Sequence, residues 1–200
     1  MPRPSNTTER RGEIVEAMLR VMAARGYAKA SVSAIAARAG LTPGLVHYHF
    51  RNKQEILLAL VERIAAAVRV RFEARASQAA TPRARLHAFL DAHLAAGEGA
   101  DPDAVACWVA LGTEALTEPK VGEAYREVVR VQLGVLTTLV EDALRAEGAD
   151  PEHAPRLAAG LFAAIEGAFR LSVIAPGAIP EGSAAETVRA MADGLLRGAS

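Results

Sequence analysis

The sequence is short of cysteine and of aromatic residues. A single cysteine, Cys107, excludes an intramolecular disulfide and any metal site built from several cysteines, which suits a reducing compartment such as the cytoplasm. Only nine Phe, Tyr and Trp residues stand against 44 alanines, a balance that favours closely packed helices over a β-sandwich. We therefore expect an all-α protein that works in the cytoplasm.

Long apolar runs are absent as well. No run without Asp, Glu, Lys or Arg exceeds twelve residues, whereas a membrane-spanning helix needs roughly 18 to 20 predominantly apolar residues. The opening MPRPSNTTERR lacks the apolar segment of an export signal. These observations predict a protein that has no membrane partner and is not exported.

Net charge is zero over the whole chain but is unevenly distributed. Residues 1–53 hold nine Arg or Lys against three Glu, a net charge of +6, so residues 54–200 carry −6. Such an asymmetry between segments is typical of proteins that bind nucleic acid. We accordingly divide the chain into a basic domain, 1–53, and a larger acidic domain, 54–200.

Local signals predict about nine helices. An amphipathic helix over residues 8–25 ends at Gly26, and Ser31 caps a short second helix that Gly40 terminates. Thr42 caps a third helix with Pro43 at its first position, and Lys53 opens a long fourth helix that ends near Arg75. Five more helices are predicted to start at Thr81-Pro82, Asp101-Pro102, Glu118-Pro119, Asp150-Pro151 and Ser183.

The stretch GLTPGLVHYHF, residues 40–50, has the layout of a helix-turn-helix. If Val46 and Phe50 face the core, 100° steps leave an outward face that suits a DNA major groove, formed by Gly44, Leu45, His47 and Tyr48. Ser31, Ser33, Thr42 and Lys53, at or near helix starts, are candidate phosphate contacts. Arg10, Arg11 and Arg51 add positive charge for the DNA backbone. The alternative is a generic three-helix module with these residues on its surface.

Residues 8–61, and particularly SVSAIAARAGLTPGLVHYHFRNKQEILLAL, resemble the DNA-binding domain of TetR-family transcriptional regulators. The resemblance covers about a quarter of the chain and includes the Gly26-Tyr27 turn, the aromatic helix ending in Phe50 and the Asn52-Lys53 junction. It implies base and backbone contacts from Thr42, Pro43, Gly44, Leu45, His47, Tyr48 and His49, with Lys53 on phosphate. Because His47 occupies a place that is often tyrosine in the family, the base preference there stays open.

The acidic domain resembles the choline-responsive BetI subgroup at Cys107-Trp108, Glu114, Tyr125-Arg126, Gly160 to Gly167 and Ile174 to Pro180. Aromatic walls with a few polar groups are typical of ligand sites, and the candidates are Phe89, His93, Trp108, Glu114, Tyr125, Phe162, Glu166 and Phe169. One hypothesis for the effector is a small organic molecule with a cationic or hydrogen-bond-donating end and an apolar body. The other, which the sequence favours slightly, is a neutral ligand in an apolar cavity.

Two apolar helix faces predict a homodimer built on a four-helix interface. One face carries Leu157, Leu161, Ala164, Ile165 and Ala168, and the other, in the last helix, carries Met191 and Leu195. The alternative is that both faces close the core of a single subunit.

The sequence offers no cofactor site, no metal site and no set of catalytic residues. His47 and His49 diverge by about 200° on a helix, His87 and His93 lack a further ligand, and no nucleophile elbow, phosphate loop or dinucleotide fingerprint occurs. We therefore predict a ligand-responsive repressor that an effector releases from a palindromic double-stranded operator. Two alternatives are a helical ligand carrier without DNA function and a small all-α enzyme using Glu166 or His93.

Overall fold

The computed structural model describes residues 6–94 and 100–198, and in this part of the chain all regular secondary structure is helical. It contains nine α-helices and one short 3-10 turn, Pro151–His153. The helices are α1 Asn6–Lys29, α2 Val32–Ala39, α3 Pro43–His49, α4 Lys53–Ala76, α5 Pro82–Leu94, α6 Pro102–Glu114, α7 Pro119–Ala146, α8 Ala154–Ile174 and α9 Ser183–Gly198. The predicted all-α fold is confirmed.

The helix boundaries follow the local chemistry of the caps. The hydroxyl oxygen of Ser31 accepts the N–H of Ala34 at 3.1 Å, and that of Thr42 accepts the N–H of Leu45 at 3.3 Å. Gly40 ends α2 in the left-handed region, at φ 68°. Gly26 interrupts α1 at φ 74° rather than ending it, and the helix resumes to Lys29.

The helices cluster into two compact units, while the division into domains at residue 53 remains a prediction. Of the described residues, unit one comprises 6–65 and 101–126, and unit two comprises 66–94, 100 and 127–198. Unit one therefore includes α6 and the start of α7 as well as the predicted helix-turn-helix. The physical reason is that α1 packs along α6 as well as on α2 and α3.

Unit one is closed by apolar packing and by an ion-pair network at the start of α6. Ile14, Met18 and Met22 of α1 are buried. The guanidinium of Arg20 binds both carboxylate oxygens of Asp101, at 2.9 and 3.0 Å, and one of Asp103 at 2.7 Å. Burial alone would raise the pKa of Asp101, but Arg20 and two N–H groups of α6 lower it overall. Asp101 is thus both the N-cap of α6 and its link to α1.

Unit two has a core formed by α5, α7, α8 and α9. Leu157, Leu161, Ile165 and Ala168 are at most 8% exposed within the single chain. Most of their surface is therefore covered within the single chain, and their place in a dimer interface remains a prediction. Two other predicted interface residues, Met191 and Leu195, are 46% and 37% exposed.

The last helix is tied to α5 by an ion pair and by a hydrogen bond. Arg189 of α9 binds Asp91 at 2.9 Å, and Asp193 lies 2.9 Å from the ring of His87. These pairs occupy the side of α9 that faces α5. Met191 and Leu195 lie on another side of the helix because successive residues turn by about 100°.

One helical segment, Pro151–Ile174, is long and apolar enough by composition to cross a membrane. Core helices of water-soluble proteins meet the same criterion, and here α8 packs against α5 and α9. The absence of a membrane partner remains a prediction.

Candidate nucleic-acid interface and ligand-binding residues

Helix α3 has one buried side and one exposed side. Val46 and the capping residue Phe50 are buried, at 0% and 1% exposure, whereas Tyr48 is 79% exposed. The other exposed residues are Thr42, Pro43, Gly44, Leu45 and His47, and His49 is half-buried with its ring edge against Tyr48 at 5.0 Å. Helix α3 therefore presents a face of polar, aromatic and small residues to solvent.

The serine and threonine candidates lie at the surface beside α3. Ser31, Ser33 and Thr42 are exposed. The oxygens of Ser31 and Thr42 accept the capping N–H groups, which leaves each hydroxyl hydrogen free to donate to a further acceptor. Both caps are thus fixed in position at the edge of the exposed face.

Lys53, at the start of α4, is held by the turn that follows Gly26. Its ammonium donates to the carbonyl of Tyr27 at 2.9 Å and lies 3.8 Å from the centre of the Tyr27 ring. An ammonium has three donors, so donors remain for an anion. The sequence signal for this arrangement is the Gly26-Tyr27 pair, although spacing alone did not connect it with Lys53.

Two acidic residues act on the phenol of Tyr27. Burial and the charges of Glu118 and Glu114 raise the pKa of its phenol. Gln54 of α4 donates to Glu118 at 3.2 Å. The charge of Glu114 thus acts on Tyr27. Glu114 and Trp108 lie about 120° apart around the axis of α6, so these two predicted ligand residues point in different directions.

Trp108 and Tyr125 form an aromatic pair in unit one. Their rings stack at 4.4 Å with 20° between the planes. The indole is buried and the phenol is half-buried beside Gly112, where an added Cβ would lie 3.5 Å from the Tyr125 hydroxyl. Two of the predicted ligand residues, from α6 and α7, are therefore in contact.

The other five predicted ligand residues belong to unit two. Phe89 contacts the ring of His93 at 4.3 Å, Phe162 lies in the core, and Phe169 packs partly buried against it. Phe72, which the sequence analysis did not select as a ligand residue, meets Phe89 edge-on at 5.6 Å. Glu166 is half-buried on α8. This group provides aromatic and apolar surface with few polar atoms.

His93 is the buried polar residue of this aromatic group. Burial lowers its pKa to about 4, against the partial opposition of hydrogen bonds to Phe89 and Gln132, so the ring is neutral at pH 7. Its Nδ1–H donates to the carbonyl of Phe89 at 2.9 Å, and Nε2 lies 3.1 Å from the side-chain amide of Gln132. The Gln132 atom at that distance is the amide oxygen, Oε1.

Cys107 and the acidic residues offer no metal site or reactive thiol. Within residues 6–94 and 100–198, no group of three His, Cys, Asp or Glu residues is placed to hold a metal ion. The thiol of Cys107 is buried and donates to the carbonyl of Leu19 at 3.3 Å. Burial and the charges of Asp103 and Asp101 raise its pKa to about 12, so the thiol stays protonated and unreactive.

Two family models match the chain in succession. Residues 14–60 match the model of the tetR family of bacterial regulatory proteins. Residues 82–197 match the C-terminal model of BetI-type transcriptional repressors. The first match contains α2, α3 and the start of α4, and the second extends from α5 into α9.

Individual relatives agree with both models. The transcriptional regulator BetI of Rhizobium meliloti is 31% identical over 169 residues, which are 84% of this chain and 80% of that protein. A transcriptional regulator from Rhodococcus superposes with a TM-score of 0.81 at 22% identity, over 94% of this chain and 97% of that one. A regulator from Saccharomonospora viridis, solved in complex with choline, has a TM-score of 0.78 at 24% identity, over 95% and 96% of the two chains. The two structures share the fold of this chain.

Proposed function

Since this chain belongs to the TetR family of bacterial regulatory proteins and has a BetI-type C-terminal domain, we propose how it recognises DNA and what releases it. Like other members of this family, it is a DNA-binding, ligand-responsive transcriptional repressor and not an enzyme. We propose that it acts in the cytoplasm as a homodimer, that α3 of each subunit enters a major groove of a partly palindromic operator, and that a small effector releases it.

The observation that carries this proposal is the two-sided character of α3. Its inner side is fixed by Val46 and Phe50, while Tyr48 and His47 project into solvent. These exposed groups can donate and accept hydrogen bonds at base edges, and Leu45 suits the methyl group of thymine. The exposed hydroxyls of Ser31 and Thr42, with Ser33, Pro43, Gly44, His49 and Lys53 nearby, would set the register on the backbone.

We assign the dimer interface to the exposed surface of the last two helices, here called the α8–α9 outer face and defined as Gly160, Ala163, Gly167, Met191 and Leu195. All five are exposed or half-buried in the single chain. Small residues on α8 allow the close approach that a four-helix interface needs. Ala164, half-buried at its edge, keeps its predicted place. A two-fold dimer would present its two α3 helices to successive major grooves, which lie about 34 to 36 Å apart.

The stacked pair Trp108–Tyr125 supports an effector with a cationic end. Aromatic faces attract a quaternary or protonated ammonium group, at about 0.5 to 2 kcal/mol per good contact. The structurally similar Saccharomonospora viridis regulator binds choline, a quaternary ammonium compound. A neutral effector is the second candidate, because the rings of Phe72, Phe89 and Phe162 give unit two an apolar interior.

Effector and operator oppose each other by thermodynamic linkage. If the effector favours a subunit arrangement in which the two α3 helices no longer match successive major grooves, it lowers operator affinity. The operator must then weaken effector binding by the same factor.

The first test is the recovery of the operator. Purified protein is mixed with fragmented genomic DNA of its source, and the retained fragments are sequenced. We expect enrichment of a partly palindromic sequence whose half-sites lie one helical turn apart. Retention without any enriched sequence would contradict specific DNA recognition.

The second test identifies the charge of the effector. Operator release is measured with choline and with its uncharged carbon analogue, in which a tert-butyl group replaces trimethylammonium, at matched ionic strength. A cation site predicts release by choline alone, abolished in Trp108→Leu and retained in Phe169→Leu, the matched variant in unit two. Equal release by both compounds would overturn the cation assignment and leave the repressor function intact.

A further inference from the structure

Arg11 of α1 has an unexpected position for a basic residue next to the proposed DNA-binding helix. Charge alone assigns it to a phosphate, as it does Arg10 and Arg51. In the structure its side chain is 40% exposed, and its guanidinium contacts the end of α3 and the start of α4. We propose that Arg11 is a positioning residue that fixes the recognition helix and thereby sets operator specificity, an inference that rests on the proposed DNA-binding role of α3.

The first contact is a hydrogen bond at the C-terminus of α3. Nη1 of Arg11 donates to the carbonyl oxygen of His49. The last carbonyl groups of a helix have no partner within the helix and carry partial negative charge. Arg11 therefore supplies both a donor and a positive charge where α3 needs them.

The second contact is with the ring that closes α3. The Cζ atom of Arg11 lies 3.9 Å from the centre of the Phe50 ring, and Phe50 is 1% exposed. A planar guanidinium can stack on an aromatic face and donate hydrogen bonds in its own plane at the same time. A lysine ammonium is a point charge and lacks this planar group.

The third contact reaches α4. Nη1 of Arg11 lies 3.8 Å from Oε1 of Glu55. The other carboxylate oxygen of Glu55 accepts the N–H of Arg51 at 2.8 Å, and the N–H of Glu55 donates to the side chain of Asn52 at 2.9 Å. One guanidinium therefore joins α1, the end of α3 and the capped start of α4.

These contacts distinguish a positioning role from a phosphate contact. A phosphate ligand must direct its donors outward, and losing it weakens all DNA sequences alike while reducing the salt dependence of binding. A positioning residue leaves the number of phosphate contacts unchanged. Its loss disturbs the aim of His47 and Tyr48, so the affinity for the operator falls while affinity for other DNA stays the same.

The test uses the full-length protein with Arg11→Lys, Arg11→Met and the matched neighbour Arg10→Met, since Arg10 pairs with Glu13 of its own helix at 2.7 Å. Affinities for the recovered operator and for a scrambled fragment of equal length are measured over a range of salt. For Arg11→Lys we expect roughly a tenfold or greater loss of the operator-to-scrambled affinity ratio, with the scrambled affinity and the salt slope unchanged. Arg10→Met should keep the ratio.

Arg11→Met tests the alternative. If it weakens both DNA fragments alike and reduces the salt slope by about one per subunit, while Arg11→Lys behaves as the unmodified protein, Arg11 is a phosphate ligand and the proposal is overturned. Thermal unfolding of each variant shows whether the fold persists, and Arg11→Lys carries the test if Arg11→Met is unfolded.

A second readout needs no DNA and separates this proposal from the proposed function. Amide hydrogen exchange is measured for α3 and for the start of α4 in the free protein. Release of the Arg11 contacts should speed exchange there in Arg11→Lys and leave α9 unchanged. Unchanged exchange in α3 would overturn the positioning role. If Arg11→Lys shows faster exchange in α3 but the unmodified protein selects no operator, the result would instead refute the proposed function.

Discussion

Tyr48 of α3 is 79% exposed. If its hydroxyl or ring meets a base edge, Tyr48→Ala should cost about 1 to 3 kcal/mol of operator affinity and relax discrimination between operator variants. His47→Ala should act likewise at a neighbouring base pair. Fluorescence anisotropy with single-base operator variants measures both effects.

The matched control for these substitutions is Lys120→Ala, which removes an exposed residue outside the helix-turn-helix. Lys53→Ala should weaken binding to every sequence similarly, because a phosphate contact carries no base information. A Tyr48→Ala protein with unchanged affinity and unchanged sequence preference would show that α3 is not the recognition helix.

His93 makes the stability of the fold depend on pH. Its pKa is about 4 in the folded chain and about 6.5 when unfolded. As pH falls from 6.5 towards 4, the unfolded chain binds a proton that the folded chain does not. The free energy of unfolding should therefore drop by about 2 kcal/mol between pH 8 and pH 5 from this group alone.

Urea denaturation at both pH values measures this contribution. His93→Gln, which retains a buried hydrogen-bonding side chain, should lose less stability on acidification than the unmodified protein, by about 2 kcal/mol. The exposed His153→Gln should lose as much as the unmodified protein. Equal acid sensitivity in all three proteins would mean that His93 is not buried in its neutral form.

Roles of single residues were only partly predictable from the sequence. The outward side of α3 follows from placing Val46 and Phe50 in the core, because helix geometry fixes the rest. The inward roles of Arg11 and Lys53 depend on segments 38 and 26 residues away along the chain. Charge and spacing do not reveal such contacts within the protein.

At the scale of the element, Asp101 illustrates a helix start with two tasks. It caps α6 and accepts the bidentate hydrogen bonds of Arg20. Asp101→Ala should lower the free energy of unfolding by about 1 to 2 kcal/mol, since a lost N-cap alone costs about that much. Urea denaturation at constant pH measures the loss.

Two companion variants separate the cap from the charge. Asp101→Asn keeps a capping oxygen and should lose less stability than Asp101→Ala. Asp142→Ala removes an exposed carboxylate that meets Arg145 within α7 and should change stability by no more than about 0.5 kcal/mol. If Asp101→Ala behaves like Asp142→Ala, the start of α6 is held by its apolar packing alone.

Helix starts were well predicted because caps are local: Asp101-Pro102 and Thr42-Pro43 carry their signal within a few residues. The buried side of α8, in contrast, was not well predicted. Both sides of that helix are rich in small or apolar residues, so periodicity could not distinguish the side of Leu161 and Ile165 from that of Gly160 and Ala163. The packing of α5 and α9 decides between them.

At the scale of the whole molecule, the proposed homodimer can be tested by its mass. Light scattering should give about 42 kDa, twice the 21.0 kDa of one chain. Ala163→Arg places an unpaired charge in the α8–α9 outer face and should destabilise the dimer by ~3 kcal/mol or more. The variant should therefore dissociate at concentrations where the unmodified protein is dimeric.

The control for this experiment is Ala74→Arg, which adds the same charge at an exposed position of α4. It should leave the mass at about 42 kDa. If Ala163→Arg is also dimeric and equally stable, the interface lies on another surface of the chain.

The buried thiol of Cys107 makes unit one measurable by itself. The chain has one cysteine, and its side chain is inaccessible and protonated in the folded state. A thiol reagent can modify it only during excursions in which α1 and α6 separate. With fast reclosing, the modification rate relative to that of an exposed thiol gives the population of the open form. The modification rate thus reports how often unit one opens locally. Measuring this rate with effector or with operator shows which of them slows the opening.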